Sequence, residues 1–162
     1  MHSQDHDHGV HYMHFAIMMV LSYFIMFAFM YAMVDRWANV YPNLNQAYMA
    51  GLMVVPMALL ELVFMGSMYP DKKLNMLIMG AGALLLLLCW FGIRQQLAIT
   101  DRSFLRSMIP HHASALLMCR QPPIKDIEIR KLCGDIISSQ QREIDEMNAI
   151  LKRLEWAESD ND

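Results

Sequence analysis

The sequence predicts an all-α protein: three membrane-spanning helices followed by a two-helix hairpin. Three observations carry that expectation. Three runs of about 20 apolar residues occupy the first 93 positions, long enough to cross roughly 30 Å of hydrocarbon as helices. Charge is segregated, with Arg36, Lys72 and Lys73 the only Lys or Arg before position 94 and ten of the thirteen from Arg94 onward. Beyond residue 98, apolar residues recur at helical spacing on either side of Gln121-Pro122-Pro123, which must interrupt a helix.

Residues 1–11 read as a flexible His-rich tail, with His2, His6, His8 and His11, and with His14 just beyond it, offering loose metal capture or a solvated segment near the interface. The anchor is expected over 12–97. Its first run, from about Tyr12 to Val34, has no charge before Asp35. Its length, and the lack of an early basic residue and of a small-residue cleavage site, distinguish it from a signal peptide. The second run, from about Ala47 to Tyr69, is broken only by Glu61, and the third extends from Leu74 to Ile93. Unpaired backbone groups are too costly in lipid for these runs to be anything but helical. A loop over 35–46 and a tight turn at Pro70-Asp71-Lys72-Lys73 make neighbouring helices antiparallel.

Seventeen methionines are an unusual load, and thirteen fall between Met13 and Met79. Met49, Met53, Met57, Glu61 and Met65 recur at four-residue steps, on one helical stripe. Such a stripe reads either as a thioether ladder for a soft cation or as methionine filling irregular helix contacts, with Glu61 in a polar contact of the bundle. Pro56 is expected to open this helix near Leu52.

In the last third, Thr100 or Asp101 is placed to cap a helix starting near Arg102. Phe104, Met108, His112, Ala115 and Cys119 lie close to one face, and Pro110 predicts a kink or restart. A second helix is expected from about Lys125 to Ala157, its inner stripe including Ile129, Leu132, Cys133, Ile136, Ile137, Gln140, Ile144, Met147 and Leu151. Closing the hairpin sets Gln140 and Glu143 opposite His111 and His112. Met108 with His112, and Glu143 with Met147, are i,i+4 pairs, and His111 stands three residues from Met108. Imidazole, thioether and carboxylate donors suit a soft, copper-like ion: Cu(I) through Met and His, Cu(II) more through His and Glu. The other reading is a polar helix face above a methionine-containing core. Cys119 and Cys133 lie unequally far from the turn, and the double proline relaxes that mismatch. A disulfide, two buried thiols and additional Cu(I) ligands all remain open. Cys89, inside the third run, reads as packing.

The segments DRSFLRSMIPHHASALLM (101–118) and IISSQQREIDEM (136–147) resemble the DUF305 family, a small ferritin-like helical domain of bacterial envelope proteins, some associated with copper. The resemblance covers 98–157, leaving 158–162 as a disordered acidic tail. It implies metal binding by Met108, His111, His112, Glu143 and Met147, with Met118 as a further member, and display on the extracytoplasmic side of a bacterial inner membrane with the N-terminus in the cytoplasm. The basic residues Arg94, Arg102 and Arg106 lean the other way, and Lys72-Lys73 agrees.

The expected function is therefore a membrane-anchored copper-binding protein that sequesters or transfers copper ions and contributes to metal tolerance. The alternative is a structural membrane adaptor whose hairpin docks a partner. A two-helix domain buries little core alone, so a homo-oligomer, a dimer or higher, is expected, with copper export or resistance proteins as partners. A net charge of −3 excludes a strongly basic nucleic-acid-binding surface. There is no Gly-rich phosphate loop, no HExxH and no Cys-x-x-Cys, and a Cys119–His112 nucleophile would lack an orienting residue. A non-catalytic role is expected.

Overall fold

A computed structural model describes residues 2–159, with side chains over 9–157. Among the described residues the chain is all-helical: α1 (His2–Phe29), α2 (Leu44–Phe64), α3 (Lys72–Arg94), α4 (Asp101–Arg120) and α5 (Ile127–Ser159), with short 3-10 helices at Met30–Met33 and Trp37–Asn39. Helix α1 starts inside the segment expected to be a tail. The side chains of His2, His6, His8, Glu158 and Ser159, and residues 160–162, lie outside what is described, and α5 runs into the segment expected to be a disordered tail.

The chain divides into two compact units. The first holds residues 1–29 and 45–98, the second residues 30–44 and 99–162. The stretch between the first two apolar helices therefore joins the hairpin rather than the anchor.

In the first unit, Gly9–Met33, Leu44–Phe64 and Lys72–Arg94 are each long and apolar enough to cross a membrane. The second helix stops at Phe64, earlier than its apolar run suggests, and passes unbroken through Pro56. A lost N–H at Pro56 is tolerable where neighbouring helices support the backbone. Helix α3 starts two residues earlier than the apolar run because Asp71 caps it, accepting from the N–H groups of Lys73 and Leu74 at 2.9 and 3.0 Å. Close approach depends on small residues. A Cβ at Gly51 would come within 2.7 Å of the Cys89 sulfur, and one at Gly92 within 2.8 Å of the Tyr48 ring. Glu61 accepts from the Tyr69 hydroxyl at 2.7 Å, while Tyr12 donates to Asn75 Oδ1 at 2.7 Å and Asn75 Nδ2 donates to the Tyr69 carbonyl at 2.8 Å. Glu61 thus takes part in a polar contact of the bundle. Met49, Met53 and Met57 on α2, and Met65 just beyond it, are all exposed. They neither line an interior of this unit nor fill contacts between its helices.

The second unit is an antiparallel α4–α5 hairpin whose core contains Leu105, Ile109, Ala113, Leu116, Ile144 and Leu151, with Val34 and Tyr41 packed against it. Thr100 caps α4 through its hydroxyl, which accepts from the Ser103 N–H. Pro110 does not break α4. Its ring removes the N–H that would have bonded the Arg106 carbonyl. Asn43 Nδ2 supplies a substitute, donating to that carbonyl at 3.4 Å. Asp35 ties the same segment to the end of α4 by accepting from Arg120 at 3.4 Å, and the Tyr41 hydroxyl reaches Asn148 Oδ1 at 3.1 Å.

Two expectations about the faces are corrected. Phe104 is exposed, and Leu105 occupies the buried position instead. The buried stripe of α4 steps through 105, 109, 112, 113 and 116, one residue round from the expected face. Ile129 and Leu132 of α5 are also exposed. Arg102 reaches the Leu154 carbonyl and His112 reaches Glu143, and this register sets the last turn of α4 near Cys133. The first two turns of α5 therefore have no α4 residue opposite them.

Candidate metal centre

His112 is the buried polar side chain of the hairpin, 9% exposed in a stripe of Ile109, Ala113 and Leu116. Helical spacing puts it on that face, and burial obliges both its ring nitrogens to find partners. Nδ1 lies 2.8 Å from the Met108 carbonyl, and Nε2 lies 2.8 Å from Glu143 Oε2 on α5. A carbonyl oxygen only accepts, so the Met108 bond assigns the proton to Nδ1. In the neutral ring this directs the Nε2 lone pair at the Glu143 carboxylate.

Two electron-rich atoms at that distance need a positive centre between them. A proton shared by Nε2 and Oε2 is one solution, giving an ordinary ion pair. A metal ion is the other. Adjacent ligands at right angles, each about 2.0–2.1 Å from an ion, stand about 2.9 Å apart. The spacing thus suits either occupant. The Met108 carbonyl on Nδ1 is also the kind of support that orients a metal-binding histidine.

Glu143 is held from its other side. The Ser139 hydroxyl, one turn earlier, donates to Oε1 at 2.8 Å. That bond comes first among the causes that hold the Glu143 carboxyl below its ordinary range, ahead of the His112 contact and the charge of Arg142, with burial acting in the opposite sense. Ser139 was not among the residues expected at the site; its i−4 spacing from Glu143 was the available signal. Gln140, expected opposite the histidines, is half-buried.

The other expected donors are placed differently. His111 is exposed, its ring centroid 5.9 Å from that of His112 and its plane tilted by 64°. Adjacent residues on a helix point about 100° apart, so the two imidazoles diverge. Met108 enters the site through its backbone. Met147 packs against the hydrophobic core, and Met118 is 53% exposed. Of the six expected ligands, the fold brings His112 and Glu143 into direct contact. Among the described residues no group of three or more His, Cys, Asp or Glu side chains converges. Cys119 and Cys133 are free and half-buried. The neighbouring Cys133 thiol, with burial, pushes the Cys119 thiol up to about 11.

The hairpin holds a buried histidine against a half-exposed carboxylate, and three helices of the chain are long and apolar enough to cross a membrane. The family model described as a domain of unknown function, DUF305, matches residues 94–162. The chain is also 35% identical over 141 residues to an uncharacterised protein of Acanthamoeba polyphaga mimivirus, covering 83% of this chain and 90% of that one. That alignment is too long to be confined to the hairpin, so the likeness extends into the apolar helices. The chain belongs to the DUF305 family. No solved structure matches it.

Proposed function

We propose that this protein binds copper at its hairpin and sequesters or hands over the ion at the extracytoplasmic face, without catalysing a reaction. The observation that carries the reading is the two-sided fixing of His112, with Nδ1 on the Met108 carbonyl and Nε2 aimed at Glu143. An imidazole and a carboxylate favour Cu(II) over Cu(I), and Cu(II) binds such donors more tightly than other divalent first-row ions do. Met108 and Met147 stand one turn from the pair on either helix and are the thioethers the family resemblance would add, with His111 and Met118 further out. Release follows from acid: protonated imidazole has no lone pair for the metal, whereas the low-lying carboxyl of Glu143 stays ionised.

Were the three apolar helices each to cross the bilayer in turn, residues 30–44 and the hairpin would face one side and Lys72-Lys73 with the N-terminus the other. Positive-inside bias from the two lysines favours a cytoplasmic N-terminus, and in a bacterial cell the membrane would be the inner one. The test is titration of the full chain in detergent, its thiols alkylated so that Cu(II) cannot oxidise them. Saturable binding that is lost in His112→Ala and Glu143→Gln supports the reading. Equal uptake by wild type and both variants overturns it.

A second reading, a non-catalytic adaptor, is favoured by a specific observation: Ile127, Ile129 and Leu132 are exposed on the unopposed turns of α5. Exposed apolar clusters of this kind mark interaction sites. A second copy of the hairpin would cover them in a four-helix bundle, and a copper-export or resistance protein would do so as a heterologous partner. Molecular mass in detergent across concentrations separates these. A monomer throughout rejects the dimer, and retained copper binding in Leu132→Lys would divorce docking from metal binding.

A further inference from the structure

Serine inside a helix ordinarily turns its hydroxyl back to a backbone carbonyl one turn earlier. Ser107, Ser114 and Ser138 do so, donating to the carbonyls of Phe104, Pro110 and Asp135 at 2.8, 2.9 and 3.0 Å. Ser139, the next residue after Ser138 on α5, departs from that habit and donates forward to Glu143 Oε1 at 2.8 Å. The other carboxylate oxygen, Oε2, lies 2.8 Å from His112 Nε2. The two oxygens of Glu143 therefore have separate partners, one on its own helix and one on α4. The Glu143 side chain is 47% exposed against 11% for His112, so an ion from solvent reaches the pair from the carboxylate's side.

We propose that Ser139 is a positioning residue that sets the ion preference of the His112–Glu143 centre, a role that rests on reading that pair as a metal site. By holding Oε1 it makes Glu143 a one-oxygen donor, so the centre favours an ion such as Cu(II) and disfavours calcium. A carboxylate that chelates through both oxygens centres the ion between them. With Oε1 committed to a hydroxyl, the ion sits on Oε2 instead, beside Nε2. Calcium takes oxygen ligands only and commonly both oxygens of a carboxylate, so this arrangement deprives it of its usual grip. Cu(II) accepts an imidazole nitrogen and a single carboxylate oxygen side by side. Without the hydroxyl, Oε1 is free to chelate, and the ion moves towards the middle of the carboxylate and away from Nε2. The imidazole bond then weakens, and the carboxylate is no longer held in place before the ion arrives.

The experiment uses the full chain in detergent with its thiols alkylated. Cu(II) is titrated against a competing chelator into wild type, Ser139→Ala and Ser139→Thr, with far-ultraviolet circular dichroism confirming that each is folded. Ser139→Ala should weaken binding by about 10–100-fold, the range for lost outer hydrogen bonds to a metal ligand. Ser139→Thr keeps a hydroxyl on the same carbon and should restore it. Infrared difference spectra between the Cu(II)-loaded and metal-free chain, with Glu143→Gln as the blank, report how the carboxylate binds. Wild type should show the wide separation of carboxylate stretches that marks one bound oxygen, and Ser139→Ala the narrow separation that marks two. A hydroxyl that only stabilised α5 would lower the unfolding temperature without moving that separation. Calcium added to the metal-free wild type should leave the Glu143 bands in place. Wild-type affinity or an unchanged separation in Ser139→Ala overturns the role of Ser139 and leaves the centre standing, and so does a calcium-induced shift that Glu143→Gln lacks. Failure of the wild type to take up Cu(II) overturns the centre itself, and the role with it.

Discussion

The two units are built from the same kind of helix and are held together by different means. In the hairpin unit, Ile109, Leu116 and Ile144 are fully buried, and the stabilising term is removal of apolar surface from water. In the apolar unit large side chains such as Phe24, Leu77 and Leu88 face outward, where lipid would cover them. Hydrocarbon solvates leucine as well as another helix does, so burial cannot drive association there. Close contact at Gly51 and Gly92, and the hydroxyl and amide bonds around Tyr69, take over that work. The lesson is that apolar surface carries different information in the two halves: in the hairpin unit its burial holds the fold together, and in the apolar unit much of it is left for lipid to cover.

Breaking the comparison should therefore require different substitutions in each unit. The largest effect is expected from Ile144→Ala, which opens a cavity between α4 and α5 and should cost about 2–5 kcal/mol. Denaturant unfolding of the full chain, followed by the alkylation rate of Cys119, checks this, and the apolar unit should keep its helicity. A comparable truncation of exposed Leu88 should leave the unfolding midpoint unmoved.

Next comes Gly92→Ala, whose Cβ would fall 2.8 Å from the Tyr48 ring. Overpacking of about 1–3 kcal/mol is expected. Heat-induced aggregation in detergent should start at a lower temperature, while alkylation of Cys119 stays at the wild-type rate. If the hairpin loosened instead, the division of labour between the units would be wrong.

A smaller loss is expected from Asn43→Ala, about 1 kcal/mol for the bond to the Arg106 carbonyl. Pro110→Ala restores an N–H to that carbonyl, so in its presence the Asn43→Ala penalty should shrink. An unchanged penalty in the double-mutant cycle would mean that Asn43 acts through its other contacts.

The smallest effect belongs to Glu143, which is solvent-accessible. Its carboxyl lies below the ordinary value of 4.5 in the folded hairpin. The unfolded chain therefore binds its proton more readily, and the contribution to stability is present above the ordinary value and lost as pH falls through the lower folded one. Thermal unfolding of wild type and Glu143→Gln should differ at neutral pH and converge in acid. A difference that persists below the carboxylate range would assign it to packing.

Much of this architecture was legible along the chain. Uninterrupted apolar runs, the cap at Thr100, the double proline and the i,i+4 spacings are local, and local geometry follows from local sequence. The His112–Glu143 meeting was legible too, because the hairpin turn and helical period together limit which faces oppose. His112 already stood on the expected face, but the shift from Phe104 to Leu105, which rotates the buried stripe by one residue, was not legible. Nor did periodicity reveal that α5 overshoots α4, because it carries no information on the register between two helices.

By itself, the order of residues determined that the chain is helical, that its first half suits lipid and that its donors lie on two facing rods. Those are properties of nearest neighbours along a helix and of their solvation. Tertiary structure alone decided that Leu105 and not Phe104 turns inward, that Asn43 repairs the gap left by Pro110, and that Tyr41 reaches Asn148. Each depends on the rotation and register of one helix against another, set by the fit of the whole buried face.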